Sequence, residues 1–154
     1  MDPEQLAFLD EHAVLVDAGS EAVWTELLAT LKRTFSRPAA ARYARLVGCE
    51  PSAASGPRPL AEGSSVPGFR VQAHRPPVEL ALTGRHRFSD YALTFRLDRE
   101  GDRTRLRAET RADFPGKLGR GYRFALLRTG GHVLLTRRLL AGVRRRAEAA
   151  AASG

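Results

Sequence analysis

The chain has 154 residues and one cysteine, with 43% hydrophobic and 27% charged residues. This length and composition are typical of a single globular domain with a sizeable core, and they exclude a domain stapled by internal disulfides. No apolar run is long enough to span a bilayer. The net charge of +8 raises nucleic-acid binding as a function, but an excess of arginine first governs solubility and non-specific binding.

The N-terminal stretch MDPEQLAFLDEH is acidic and lacks the apolar segment of a secretory signal. Together with the lone Cys49, it favours a cytoplasmic location. We expect an N-terminal tail over residues 1–11, a single domain over residues 12–148 and a disordered tail over residues 149–154.

The first predicted elements are a strand and two helices. The β-branched run HAVLVDA predicts a strand at 12–18. Ser20 follows as a helix N-cap, and apolar residues at helical spacing predict an amphipathic helix over about 21–35. Pro38 suits the first turn of a second, short helix, which Gly48 ends.

A loop and then a sheet are predicted next. Residues 49–67 are rich in Pro, Gly, Ser and Ala and predict a loop that is either mobile or functional. From residue 68 the hydrophobic period changes to two, which predicts a meander of antiparallel strands. Ser89 and Asp90 fit a two-residue hairpin loop, and by that register Gly84 lies opposite Phe95.

The predicted sheet has two chemically different faces. A second hairpin turn at 99–102 pairs Leu97 with Thr104, and the two registers agree on which side chains share a face. The inner face then carries Leu82, Gly84, His86, Phe88, Tyr91, Leu93, Phe95, Leu97, Thr104, Leu106, Ala108 and Thr110. The outer face carries Arg85, Arg87, Arg96, Arg105, Arg107, Glu109 and Arg111.

A long helical segment ends the chain and is the natural cover for the inner face. Its apolar stripe consists of Tyr122, Leu126, Val133, Leu140, Val143 and Ala147. The pair Gly130-Gly131 interrupts the segment and predicts a kink or a split. Its many arginines resemble those of a membrane-surface helix, but we expect the stripe to pack on the sheet.

The inner face predicts a ligand cavity. Gly84, Ala108 and Thr110 remove volume from a face that otherwise holds rings, and a void remains unless the helix fills it. Ligand sites are mostly apolar, with a few polar groups that fix orientation. The predicted lining consists of Phe69, Leu82, Gly84, His86, Phe88, Tyr91, Leu93, Phe95, Leu106, Ala108, Thr110, Tyr122, Leu126 and Val133. His86 and Tyr91 are the candidate proton-handling groups, although a lone histidine on an apolar face is more often a satisfied core residue.

The order of elements and several motifs resemble the START-like, helix-grip superfamily of polyketide cyclase/dehydratase and lipid-transport-like proteins (SRPBCC). The likeness rests on a strand followed by AGSEAVWTEL (18–27), then a meander and a long C-terminal helix, and it covers about 12–148. The stretches PGFRV, LTGRHRFSDYALTFRL and TGGH look like a bacterial branch of that superfamily.

This resemblance implies an α+β helix-grip fold, with a curved antiparallel sheet wrapped around a long C-terminal helix and two short helices after the first strand. It implies binding of a small hydrophobic or amphipathic ligand, lipid- or polyketide-like, between sheet and helix. The 49–67 loop lies where such proteins gate their cavity. Members of the superfamily bind lipids, hormones and polyketides and only some catalyse a reaction, so a cyclase or dehydratase that uses the same cavity is the alternative.

Other classes of site find less support in the sequence. The histidines and Cys49 form no cluster with metal-ligand spacing, and no nucleophile elbow or phosphate-binding glycine loop occurs, so we expect neither a metal nor a cofactor. The outer-face arginines are most simply a solvated surface. We therefore expect no specific nucleic-acid partner, and weak binding through that face is the second alternative. The expected state is a monomer or a homodimer.

Overall fold

The computed structural model describes residues 1–154, apart from the side chain of Thr129. After a 3-10 helix at Pro3–Gln5, the elements of this described chain are β1 (Phe8–Val16), α1 (Ser20–Phe35), α2 (Pro38–Val47), β2 (Ser65–Val66), β3 (Phe69–Arg75), β4 (Glu79–His86), β5 (Ser89–Glu100), β6 (Arg103–Asp113), α3 (Gly116–Thr129) and α4 (Gly131–Ser153). The strands form one antiparallel sheet in the order β1-β6-β5-β4-β3-β2. The predicted α+β arrangement, a curled sheet with two helices after the first strand and a long C-terminal helix, is confirmed.

Both ends of the chain are more ordered than we expected. β1 begins at Phe8, so residues 8–11 belong to the sheet and not to a tail, because Asp10 and Glu11 pair with β6. The 3-10 helix lies on the outer face, where Glu4 forms an ion pair with Arg96 at 2.9 Å. At the other end α4 continues to Ser153, through the residues predicted as a disordered tail.

The two helices after β1 lie where the sequence predicts them. α1 differs in its cap: Gly19 is the N-cap residue, and the Ser20 hydroxyl lies 3.5 Å from the Thr104 hydroxyl instead of capping the helix. α2 has Pro38 in its first turn and ends at Gly48, which adopts the left-handed conformation (φ 72°) that glycine tolerates best.

The β4–β5 hairpin has the predicted faces but a different register. Its loop is Arg87-Phe88, and the predicted loop residues Ser89 and Asp90 belong to β5. Gly84 therefore lies opposite Tyr91 and not opposite Phe95. The partner of Gly84 moves by four residues along β5, and a shift by any even number keeps every side chain on its face, which is why the face pattern alone could not reveal it.

The β5–β6 hairpin is also shifted from its predicted register. Its loop is Gly101-Asp102, with Gly101 at a φ of 66°, so Leu97 faces Leu106 and not Thr104. The inner-face assignment again holds, because Leu97, Leu106 and Thr104 are all buried.

One half of the inner face is a packed core under α1 and α4. The buried side chains of this core include Val23, Trp24, Leu27 and Leu31 of α1, Leu140, Val143 and Ala147 of α4, and Leu80, Leu82, Phe95, Leu97, Leu106 and Ala108 of the sheet. α4 contacts mainly α1 and β1, and its own Thr136 is buried as well. The C-terminal half of the predicted stripe therefore packs as expected.

The predicted break at Gly130 splits the C-terminal segment into two helices. Gly130 has a φ of 64° and ends α3, and α4 begins at the next residue. Tyr122 of α3 lies over β4, with its ring 5.0 Å from the His86 ring. His132 of α4 lies over β1, with Nε2 3.3 Å from an Asp10 carboxylate oxygen. Since β6 and β5 lie between β1 and β4, the α3–α4 elbow crosses over them.

No helix in the part of the chain that the structure describes combines the length and apolarity needed to cross a membrane.

Candidate functional site

An aromatic row lines the end of the inner face under α3; we define it as Phe69, Tyr91, His86, Tyr122 and Phe88. Successive ring centroids lie 5.2 Å apart for Phe69–Tyr91, 5.2 Å for Tyr91–His86 and 5.0 Å for His86–Tyr122. Phe88 stacks on Tyr122 at 5.2 Å with an interplanar angle of 15°. All five are partly buried, so the row gives an apolar wall that still reaches the surface.

Tyr91 acts as a structural wedge within this row. Its ring occupies the space beside Gly84, where an added Cβ would lie 2.6 Å from the ring. Its hydroxyl donates to the Gly68 carbonyl oxygen at 2.5 Å and lies 3.6 Å from the Cys49 thiol. Burial raises the pKa of Tyr91 above its usual range. With its proton committed to a backbone carbonyl, Tyr91 is poorly suited to the proton-handling role that we predicted.

One of the two ring nitrogens of His86 is used in a hydrogen bond to the backbone. Its Nδ1 accepts a hydrogen bond from the Phe88 backbone N–H at 3.1 Å, which places the ring proton of the neutral form on Nε2. Burial lowers the pKa of His86, and the nearby Asp90 carboxylate opposes that effect only in part. The imidazole is therefore neutral near pH 7, with an Nε2–H donor.

The row is tied to α2 through Tyr122. The hydroxyls of Tyr122 and Tyr43 lie 3.0 Å apart and share a hydrogen bond. Burial raises the pKa of Tyr122. This contact brings α2 and α3 together beside the aromatic row.

A second polar group lies at the β1 side of the elbow and was missed by the sequence analysis. The two carboxylate oxygens of Asp10 lie 3.4 Å from His12 Nε2 and 3.3 Å from His132 Nε2. Neither histidine is among the predicted site residues. The i, i+2 spacing of Asp10 and His12 on one strand could have indicated their shared face, but the predicted strand began too late to include Asp10.

Thr110 stands beside this group and has no partner. It is directly opposite Asp10 across β1 and β6 and opposite Leu93 across β6 and β5. Its Oγ1 is buried and makes no hydrogen bond. Buried hydroxyls in folded proteins are almost always paired, so an orphaned one on the inner face needs an explanation.

The predicted site residues divide into two groups. Leu82, Phe95, Leu106 and Ala108 are nearly inaccessible and belong to the core that packs against α1 and α4. Gly84 adds no free volume, because the Tyr91 ring fills the space beside it. Phe69 and Leu93 are partly buried and pack against the edge of that core. The remaining predicted residues lie outside it, on the sheet, on the β4–β5 loop and on α3 and α4: His86, Phe88, Tyr91, Thr110, Tyr122, Leu126 and Val133.

Two surface clefts lie away from this region. One, of about 590 Å³, is lined by residues such as Asp17, Arg103 and Glu148 near the end of α4. The other, of about 350 Å³, is lined by Glu50, Thr83 and other residues on the outer side of the sheet. Neither contains a member of the aromatic row, and among the described residues no group of three His, Cys, Asp or Glu is placed to hold a metal ion.

The outer-face arginines are largely neutralised by carboxylates. The ion pairs join Arg85 to Asp90, Arg96 to Glu4, Glu79 and Glu109, Arg105 to Glu100, Arg107 to Glu11 and Asp98, and Arg111 to Glu109. For Glu109, burial alone would raise the pKa, but Arg111 and Arg96 more than compensate and lower it. A surface on which carboxylates alternate with arginines repels a polyanion as much as it attracts one.

Comparison with known proteins shows the fold. A protein from Nitrosospira multiformis superposes with a TM-score of 0.54 at 16% identity over 88% of this chain and 93% of that chain. The solution structure of CalU16 from Micromonospora echinospora gives 0.52 at 18% identity over 88% of this chain and 65% of that one. A protein from Mesorhizobium loti gives 0.50 at 17% identity over 89% and 96%.

The chain has a helix-grip fold. No protein-family model and no curated protein matches it.

Proposed function

We propose that the protein binds a small amphipathic molecule, lipid- or polyketide-like, between the sheet and the α3–α4 elbow. The apolar part of the ligand lies along the aromatic row and Leu93, and a polar group of the ligand bonds to Thr110 Oγ1. The single observation that carries the proposal is the buried, unpartnered hydroxyl of Thr110. In the ligand complex a ligand atom supplies the partner that this hydroxyl lacks, and the protein atoms that cover the hydroxyl in the free chain move aside to admit it.

The surroundings of Thr110 support this assignment. On one side the site is bounded by the rings of His86 and Tyr122, and on the other by Asp10 and His132. Leu126 and Val133, on the two arms of the elbow, are partly buried. An apolar wall with a few polar groups at its ends suits a molecule with an apolar body and a polar terminus.

Membership of the START-like superfamily is part of this proposal, as is a gating role for the 49–67 loop. Backbone hydrogen bonds anchor the loop at both ends: Glu50 N–H donates to the Arg85 carbonyl at 2.7 Å, and Gly68 N–H donates to the Pro51 carbonyl at 2.8 Å. The Tyr91 hydroxyl holds Gly68 from the site side. Displacing Tyr91 would therefore remove one of the contacts that hold the C-terminal end of the loop.

We also propose a cytoplasmic location and a monomeric or homodimeric state; the buried Cys49 is a free thiol, as a reducing compartment allows. The alternative function, a cyclase or dehydratase in the same site, would use His86 as its acid–base group. Nucleic-acid binding through the outer face is disfavoured by the ion pairs that neutralise its arginines.

Mass spectrometry of the purified protein tests the proposal. Under native conditions we expect a mass above that of the chain, which falls to the mass of the chain on denaturation, with release of an organic molecule of low polarity. A bare chain that also fails to take up any member of a lipid and aromatic-polyketide extract would contradict it. Conversion of a released molecule by the protein, lost in a His86→Asn variant, would favour the enzyme alternative.

A further inference from the structure

Positive charge is concentrated in two segments that contain no acidic residue. Residues 27–49 carry five cations and residues 114–147 carry nine, with no Asp or Glu in either segment. The rest of the chain carries eleven cations and all 17 acids, so it is net negative. The whole excess of positive charge therefore lies on the end of α1, on α2, on α3 and on most of α4.

The same helices expose large apolar side chains. Leu46 of α2 and Leu118 of α3 are each 75% exposed, and Phe124 of α3 is 63% exposed. The other exposed apolar side chains of this surface are Tyr43, Leu127, Leu134 and Leu135. The contact between Tyr43 and Tyr122 shows that α2 and α3 are adjacent, and we call their combined surface, with residues 131–135 of α4, the basic apolar face.

We propose that the basic apolar face docks on the surface of an anionic lipid bilayer. Its leucines and phenylalanine enter the interface between headgroups and acyl chains, and its lysine and arginines contact lipid phosphates. This proposal goes beyond ligand binding and does not depend on it. It also does not require α4 as an anchor, because the apolar side chains in the C-terminal half of α4 are committed to the core.

The composition of this face distinguishes a bilayer from other occupants. A second copy, related by a two-fold axis, would place acid-free basic surfaces against each other, and the repulsion would have no compensating carboxylates. A nucleic acid would satisfy the cations and could stack on Phe124 or Tyr43, but it would leave the exposed leucines of the face, such as Leu118 and Leu127, in water. An anionic bilayer satisfies both the charges and the apolar side chains.

Vesicle co-sedimentation of the full chain tests the proposal. We expect binding to equimolar phosphatidylcholine/phosphatidylglycerol vesicles, little binding to phosphatidylcholine alone, and affinity that falls as salt is raised. The double variant Phe124→Ser/Leu127→Ser should lose about tenfold or more in affinity. Phe8→Ser is the matched control, since Phe8 is 58% exposed on β1, and it should bind as the wild type does.

A second pair of variants separates local charge from net charge. Arg120→Glu/Arg123→Glu changes the basic apolar face, and Arg99→Glu/Arg103→Glu makes the same change in net charge at exposed positions on the sheet. Only the first pair should abolish vesicle binding. Equal loss in both pairs, equal binding to both vesicle types, or unchanged binding of the Phe124/Leu127 variant would overturn the proposal.

Two further outcomes would assign the face to another occupant and also overturn the proposal. One is a concentration-dependent dimer, seen by light scattering, that becomes monomeric in the Phe124/Leu127 variant. The other is tight binding of single-stranded DNA that outcompetes the anionic vesicles at physiological salt. Unfolding curves of all variants should match the wild type, because every substituted side chain is exposed.

Discussion

The ring of Tyr91 lies against Gly84, the residue opposite it in the β4–β5 hairpin. A Cβ at Gly84 would collide with the Gly68 carbonyl oxygen and would lie 2.6 Å from the Tyr91 ring and hydroxyl. This glycine is therefore required for the close approach of the ring and of the loop carbonyl, and the register of the hairpin depends on it.

Gly84→Ala should destabilise the protein by about 1–3 kcal/mol, because backbone and a buried ring must move to admit one methyl group. Thermal unfolding measures the change. Gly121→Ala is the matched control: Gly121 lies in α3 with open space around its Cβ position, and that substitution should stabilise by about 0.5–1 kcal/mol. Equal effects of the two substitutions would contradict the role assigned to Gly84.

Thr110→Val should stabilise the ligand-free protein by about 1 kcal/mol, because it removes a buried hydroxyl that has no partner and keeps the side-chain shape. Thr104→Val should have the opposite sign. The Thr104 hydroxyl donates to the Ala18 carbonyl at 2.8 Å, and its loss should cost about 1–3 kcal/mol. Urea unfolding of both variants checks the signs, and destabilisation by Thr110→Val would mean that its hydroxyl is already satisfied.

His86 should make the protein less stable in mild acid. Burial lowers the pKa of His86 in the folded state, so between that pKa and the unfolded value of about 6.5 the unfolded chain binds more protons. The stabilisation is complete above pH 6.5 and is lost as pH falls towards the folded pKa. In His86→Asn this part of the pH dependence should vanish.

Unfolding free energies of the wild type and of His86→Asn, measured from pH 8 to pH 5, test this. Their difference should be constant above about pH 7.5, where both states carry a neutral imidazole, and should change only below it. Parallel curves over the whole range would show that the imidazole is as free to protonate in the folded chain as in the unfolded one.

Leu140→Ala should destabilise by about 2–5 kcal/mol, because Leu140 is buried in the core between α4 and the sheet. Leu135→Ala, five residues earlier on α4 and 67% exposed, should change stability by less than about 0.5 kcal/mol. Guanidinium unfolding compares the two. If neither substitution changes the free energy of unfolding, α4 does not cover the sheet, and the assignment of the core to α4 and of the candidate site to α3 is wrong.

The sequence predicted elements and faces well because both follow from local periodicity. α1, α2 and the break at Gly130 lie where helical spacing, Pro38 and the glycines place them. The inner face is correct even though both hairpin registers are shifted, because period-two alternation survives a shift by an even number of residues.

What the sequence could not predict depends on contacts across the fold. Ser89 and Asp90 favour a turn more strongly than Arg87 and Phe88 do. The packing of Tyr91 on Gly84 nevertheless favours the loop at Arg87-Phe88. The contact of Asp10 with His132 joins residues 122 positions apart, and no local pattern indicates it. The expected lining was too broad for the same reason: α1 and α4 fill the half of the inner face that contains Phe95 and Leu106.

The most direct test of ligand binding is a crystal structure of the protein as purified, with no ligand added. We predict density for an elongated apolar molecule between Leu93 and Leu126, along the aromatic row, with one polar atom within hydrogen-bonding distance of Thr110 Oγ1. Leu93, Leu126 and Val133 in direct contact, with no space between sheet and elbow and with the Thr110 hydroxyl bonded to a protein atom, would contradict the account.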